Sequence, residues 1–173
     1  MVMKSCSRES SDMVHNLDEI NKKIRRLRTF LAKEDLQIED GKVRDALTKL
    51  LELKEIIGNI DMDIHFLTSY MANSFLKKKH GLTIDLSKAV GSSGLDIDLE
   101  EIVGEIKTTI PYHENDFGAQ QKDSIRKDLE RLEENKKKHK YFFVIDSKTE
   151  SILKRKYSEH YPSVEIVNLL REN

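Results

Sequence analysis

Residues 94–107 read Gly94-Leu95-Asp96-Ile97-Asp98-Leu99-Glu100-Glu101-Ile102-Val103-Gly104-Glu105-Ile106-Lys107. Leu95, Ile97 and Leu99 alternate with Asp96, Asp98 and Glu100, and Ile102, Gly104 and Ile106 alternate with Val103, Glu105 and Lys107. Successive side chains in a strand point to opposite faces, so this period of two predicts two short strands in a tight hairpin. One face is apolar; the other gathers carboxylates and a lysine. With Glu100 and Glu101 as a two-residue turn, Leu99 faces Ile102, Asp98 faces Val103, and Asp96 lies opposite Glu105. Opposed side chains share a face with Cβ atoms roughly 5 Å apart. Two carboxylates that close repel unless a cation or proton lies between them. Lys107 follows two residues further along the same face. A longer turn would shift the register and bring Asp98 forward, so Asp96 is the preferred partner of Glu105 and Asp98 the reserve. Such a cluster is suited to bind a divalent metal and activate water beside it.

Outward from the hairpin, the sequence predicts helices before it and an alternation of helix and strand after it. Residues 1–13 are polar and read as a disordered tail. Asn16 is a suitable cap for a first helix with Leu17, Ile20, Ile24, Leu27 and Leu31 at helical spacing. A second helix is expected over 39–57, with Val43, Ala46, Leu47, Leu50, Leu51 and Ile57 inward. A third starts at Asn59 or Asp61, carries Phe66, Leu67, Tyr70, Met71 and Phe75, and ends in Lys77-Lys78-Lys79-His80-Gly81. Cations at the negative end of the helix dipole and a glycine stop suit that ending. Residues 82–86 read as a short strand and 90–94 as a flexible approach. Thr108 to Pro111 extends the second hairpin strand, and a loop follows at 112–118. Residues 119–138 read as a helix with an apolar stripe at Ile125, Leu129 and Leu132. The almost wholly apolar run 141–145 reads as a strand buried on both faces. Ser147 with Glu150 forms a capping box for a helix to Tyr157, and Val164 to Leu169 is a last strand. This order predicts an α/β class with a mixed central sheet flanked by helices.

The chain has 173 residues, 35% charged and 38% hydrophobic, with a net charge of −1. That length allows one domain with a real core, or a small core with a helical extension. The division expected is a tail at 1–13, a helical extension at 14–60 that covers the core or forms a dimer interface, and a core at 61–173. No apolar run approaches the roughly 18 residues of a membrane span, and the start has no signal-peptide segment. A cytoplasmic location without membrane contact is the default expectation. Cys6 is the sole cysteine, which excludes an internal disulfide and a cysteine-based zinc site. A net charge near zero gives no global attraction to nucleic acid, so any such contact would come from local basic surfaces.

Glu-x-Lys by itself is a cheap pattern here. It also occurs at Glu52–Lys54 and Glu134–Lys136, both in helical patterns where the charges read as ordinary surface residues. Glu105 and Lys107 differ in context: a strand, after an acidic strand, with glycines before it and a helix after it. In that context residues 94–107, with the elements around them over roughly 61–170, resemble the PD-(D/E)XK nuclease superfamily, which includes many type II restriction endonucleases and archaeal Holliday-junction resolvases. The resemblance implies a three-layer restriction-endonuclease-like core. It implies that Asp96 is the first acid, Glu105 the second and Lys107 the lysine of the catalytic set. Leu95 stands where many members have proline. The glutamate that many members carry on the preceding helix has no counterpart, with His65, Asn73 or Asp63 in its place; Gln120 or Gln121 is a weak match to a glutamine on the following helix.

What the resemblance implies chemically is a Mg²⁺-dependent endonuclease, with Mn²⁺ as a possible substitute. The ion would be held by Asp96, Glu105 and the backbone carbonyl of Ile106, with Asp98 in reserve. The activity would be DNA hydrolysis of restriction type, or structure-specific cleavage in repair or recombination; a non-catalytic α/β interaction module is the alternative from another class. For DNA contact the candidates are Lys122, Arg126, Lys127 and Gln121 on the helix after the hairpin, and His113 and Asn115 in the loop before it. Cutting both strands of a palindrome takes two active sites, so a homodimer is expected, with the N-terminal helices as a candidate interface.

Overall fold

A computed structural model describes residues 6–33, 43–84 and 94–171. The chain divides into two units, Met1–Asp63 and Ile64–Asn173.

Unit 1 contains α1 (Cys6–Lys33), α2 (Val43–Ile57) and the first turn of α3 (Ile60–His80). Helix α1 starts ten residues before the expected cap Asn16 and takes in residues 6–13, which were expected as tail; residues 1–5 lie outside the described residues. Residues 6–15 contain neither glycine nor proline, so nothing local stops a nucleated helix from propagating through them. The expected start of α2 at residues 39–42 lies outside the described residues. Among the described residues of this unit, the buried apolar side chains are Phe30 and Ile56, whereas Leu47, Leu50 and Leu51, expected inward, are exposed. Lys23 Nζ binds Asp63 Oδ2 at 2.7 Å.

Unit 2 is an α/β structure built on a four-stranded mixed sheet in the order β1-β2-β3-β4. The strands are β1 (Ile97–Asp98), β2 (Ile102–Lys107), β3 (His139–Val144) and β4 (Val164–Asn168). Strands β1 and β2 are antiparallel with Ile97 opposite Gly104 and Asp98 opposite Val103. The backbone N–H of Leu99 donates to Ile102 O at 2.8 Å. The hairpin thus has the expected turn and register. Strands β2, β3 and β4 are parallel to one another, joined by α4 (Ala119–Glu133) and α5 (Ser147–Lys156).

Helices lie on both faces of the sheet. On one face, Ala72 and Leu76 of α3 pack with Ile97, Ile102, Ile106, Tyr141 and Phe143. On the other, Ile125, Leu129 and Leu132 of α4 and Ile152 and Leu153 of α5 pack with Val103, Phe142 and Val144. Tyr141 to Val144 are accordingly at most 1% exposed, as a strand sandwiched between two helical layers requires. The inward row of α3 is Thr68, Ala72 and Leu76, with Met71 and Phe75 beside it; Leu67 and Tyr70, expected inward, are exposed. Thr68 is buried in that row and donates its hydroxyl to Ile64 O at 2.7 Å. Leu95 packs with Val103 on the α4 face rather than with Ile97, because β1 begins only at Ile97 and the alternation does not reach back to residue 95.

Other boundaries move for local reasons. Residues 82–84 form no strand, and 85–93, including the rest of that expected strand and most of the flexible approach, lie outside the described residues. Helix α4 ends at Glu133 because Asn135 turns the chain: its N–H donates to Leu132 O, and its side chain accepts from Lys137 N–H at 3.0 Å. Thr108–Ile110 leave the sheet; Thr109 O accepts from Thr149 Oγ1 and Ile110 O from Gln121 Nε2. The cap of α5 is Asp146, not Ser147. Its Oδ2 accepts from Thr149 N–H at 2.7 Å, while Glu150 turns inward to Asn168 Nδ2 at 3.0 Å.

Gly104 sits where the apolar layer is tightest. A Cβ there would lie 3.2 Å from Ile97 Cδ1 and 3.3 Å from Phe143 Cε2. Gly104→Ala should destabilise unit 2 by about 1–3 kcal/mol, more than the smaller gain from a stiffer unfolded chain offsets. Urea unfolding would check this; an unchanged midpoint would mean that this layer has slack.

Candidate active site

Strand β2 carries Glu105 and Lys107 toward α4, since Ile102, Gly104 and Ile106 take the opposite face. Glu105 is 7% exposed. The paired register ends with Ile97 opposite Gly104, and Asp96, the next residue out, is close enough for its carboxylate to act on that of Glu105. Asp96 lies just outside the two-residue strand, and its carboxylate replaces a missing ladder bond: Oδ2 accepts from Ile106 N–H at 2.8 Å. The N–H and C=O of one residue point to the same side of an antiparallel strand, so the Ile106 carbonyl belongs to the edge that Asp96 occupies. From α3, His65 Nε2 lies 3.9 Å from Asp96 Oδ1. Asn73 instead accepts from Ile84 N–H, and Asp63 belongs to unit 1.

Helix α4 supplies two residues that the sequence reading missed. Asp128 is 6% exposed and faces the sheet among Ile125, Leu129 and Leu132. Lys107 Nζ lies 2.5 Å from its Oδ2, a charge contact without hydrogen-bond alignment, and donates to Ser124 Oγ at 3.2 Å. Arg131 Nη2 lies 2.5 Å from Asp128 Oδ1 and 3.6 Å from Glu105 Oε1; its Nη1 donates to Gly94 O at 3.3 Å. The usable signal was a carboxylate inside an apolar stripe: residue 128 is three after Ile125 and four before Leu132, on the buried face by helical spacing.

Three carboxylates thus share a small volume with two cations. Glu105 Oε2 is buried with no hydrogen-bond partner. Burial, and then the neighbouring Asp96 and Asp128 carboxylates, push its pKa up from 4.5 to about 7 against the opposing pull of Lys107 and Arg131. A buried, unpartnered carboxylate oxygen beside a second carboxylate has the donor chemistry of a hard divalent cation site. The fit is limited to that pair and a carbonyl, since among the described residues no three His, Cys, Asp or Glu side chains converge on one point. Asp98 is separately engaged: Lys137 Nζ binds its carboxylate, and also donates to Leu99 O at 2.5 Å.

The remaining candidates lie along α4 and the loop before it. Lys122 Nζ and Lys156 Nζ both bind Asp116, at 2.7 and 2.8 Å, and their hydrogen bonds hold that carboxyl well below the usual range. Arg126 is exposed, 3.5 Å from Asp123 and 3.8 Å from Glu130; Lys127 is exposed. The Gln121 amide serves the loop: Oε1 accepts from Gly118 N–H at 2.9 Å, and Nε2 donates to Ile110 O at 2.8 Å. His113 and Asn115 are exposed, and Asn115 O accepts from Arg155. No helix among the described residues is long and apolar enough to cross a membrane. A scan against family models, a search of curated proteins and a search of solved structures each found no match.

Proposed function

We propose that unit 2 is a Mg²⁺-dependent endonuclease with a restriction-endonuclease-like core, hydrolysing DNA phosphodiester bonds, most simply as a type II restriction enzyme. The observation that carries the reading is the buried, unpartnered Oε2 of Glu105 beside the Asp96 carboxylate. Asp96, Glu105 and the Ile106 carbonyl are the groups assigned to hold Mg²⁺, or Mn²⁺ in its place. When bound, such an ion lowers the pKa of a coordinated water and polarises the scissile phosphate.

The protein's own residues have the following parts. Glu105, held in a dry position, supplies negative charge where water cannot screen it. Lys107, at the end of β2, donates toward the attacking water and offsets charge that builds on the phosphate oxygens. Water adds to phosphorus as the P–O3′ bond breaks, leaving a 5′-phosphate and a 3′-hydroxyl. Arg126 and Lys127, exposed on α4, offer phosphate contacts, and Lys122 does so if it leaves Asp116. Cutting both strands takes two such sites, and the exposed Leu47, Leu50 and Leu51 of α2 support pairing with a second copy.

One observation favours a second reading. Lys107 rests on Asp128, so the four charges on β2 and α4 also make sense as a clamp in a non-catalytic α/β module. Incubation of plasmid and branched DNA with Mg²⁺ separates the readings. The endonuclease nicks or cuts DNA, with activity lost in Asp96→Ala, Glu105→Ala and Lys107→Ala. Cleavage of branched DNA alone assigns a structure-specific enzyme. Equal cleavage in all four proteins removes this site from the chemistry, and no cleavage by any of them leaves the clamp.

A further inference from the structure

Arg131 lies where a bound cation would be felt most. Its guanidinium is 3.6 Å from Glu105 Oε1, too far for a hydrogen bond, and 2.5 Å from Asp128 Oδ1. Its side chain is 42% exposed, whereas those of Glu105 and Asp128 are about nine-tenths buried. The two contacts are therefore unequal. Arg131 is anchored to Asp128 and to Gly94 O, and shares only loose electrostatic attraction with Glu105.

Two consequences follow from elementary electrostatics. A buried carboxylate beside two others needs positive charge nearby to remain ionised, and Arg131 and Lys107 supply it. The same charge opposes a second cation: a divalent ion drawn to Glu105 meets a guanidinium already at that carboxylate, in a medium that screens poorly. The 3.6 Å contact is not itself a hydrogen bond, so lengthening it needs only a pivot of Nη2 about Asp128 Oδ1, the contact that holds the guanidinium in place.

We infer that Arg131 is the counter-ion of Glu105 that competes with a divalent cation for that carboxylate, and that it sets how tightly the site takes metal. The inference rests on the proposed metal site at Asp96 and Glu105. Arg131 is a positioning residue in this scheme: it acts through Glu105 and touches no substrate.

The test is calorimetric titration of Mg²⁺ and Mn²⁺ into the full chain at pH 8, without DNA, for the parent, Arg131→Gln, Arg131→Lys and Glu105→Gln. Removing the competing charge should tighten metal binding about tenfold in Arg131→Gln, within the usual size of site–site coupling. Arg131→Lys, which keeps the charge, should stay within about threefold of the parent. Glu105→Gln should abolish binding. General damage to the fold weakens binding, so a tightening is not a structural side effect. A readout on the parent protein guards against a poorly folded variant: the Arg131 side-chain N–H resonance should shift on Mg²⁺ addition, and stay in place in Glu105→Gln. Unchanged or weakened affinity in Arg131→Gln, with binding still lost in Glu105→Gln, overturns the counter-ion role and leaves the metal site standing. An Arg131 resonance that ignores metal, in a parent that binds it through Glu105, does the same. Absence of any Glu105-dependent binding in the parent overturns both.

Discussion

Metal-free Glu105→Gln will be more stable than the parent at pH 8 and will lose that advantage as pH falls toward 4.5. The folded-state pKa of Glu105 is raised to about 7 from an ordinary 4.5. Between those values the folded protein holds a proton that the unfolded chain has released. Parental stability therefore falls as pH rises from about 4.5 to about 7, and levels off above that. The full penalty at pH 8 is of the order of 3 kcal/mol, since each pKa unit is about 1.4 kcal/mol. Glutamine carries no charge, escapes the penalty, and keeps the volume of the side chain. Its amide still lacks a full set of partners, so the net gain should be about 1–2 kcal/mol. Urea midpoints across this pH range, with chelator present, measure it; a difference independent of pH would mean that Glu105 is not held ionised at a cost. Under the proposed function, saturating Mg²⁺ should reverse the order, because an ion held by the ionised carboxylate would stabilise only the parent. Under the proposed function this substitution also takes DNA cleavage to background.

Under the proposed function, Lys107→Ala should reduce single-turnover DNA cleavage by about 10²–10³-fold, the size of loss seen when one preorganised donor is removed from a transition-state site. Metal affinity should not fall, because Lys107 is a cation and no ligand. That split separates Lys107 from Asp96 and Glu105, whose loss removes binding and cleavage together. Lys107 contacts Asp128 and Ser124, so its ammonium is positioned from α4 and not from the hairpin. Cleavage within threefold of the parent would remove Lys107 from the chemistry and favour the clamp reading.

The hairpin was legible because strand alternation and a two-residue turn are local. Leu99, Ile102, Gly104 and Val103 carry the register in their own order. The double burial of β3 was legible for a similar reason, as Tyr141 to Val144 contain no residue suited to solvent. Leu95 was misplaced because alternation assumes the strand continues, and β1 stops at Ile97. Leu47, Leu50 and Leu51 were assigned inward because an apolar stripe shows that a face prefers burial without showing what covers it. Asp146 lost the cap of α5 to Ser147 in the reading because both side chains can cap, and the choice depends on backbone angles.

Local order put Glu105 and Lys107 on one face of a tight hairpin and offered Asp96, with Asp98 in reserve for a longer turn, as the acid beside Glu105, since a period of two and a short turn are local properties. Tertiary packing alone decided the electrostatics of that pair. It brought Asp128 and Arg131 of α4 onto β2, gave Lys107 to Asp128 and Asp98 to Lys137, and left Glu105 Oε2 without a partner. Those outcomes depend on how α4 and the turn after it, well downstream of the hairpin, dock on the sheet. Coulomb energy depends on distance and screening, which no spacing along the chain prescribes.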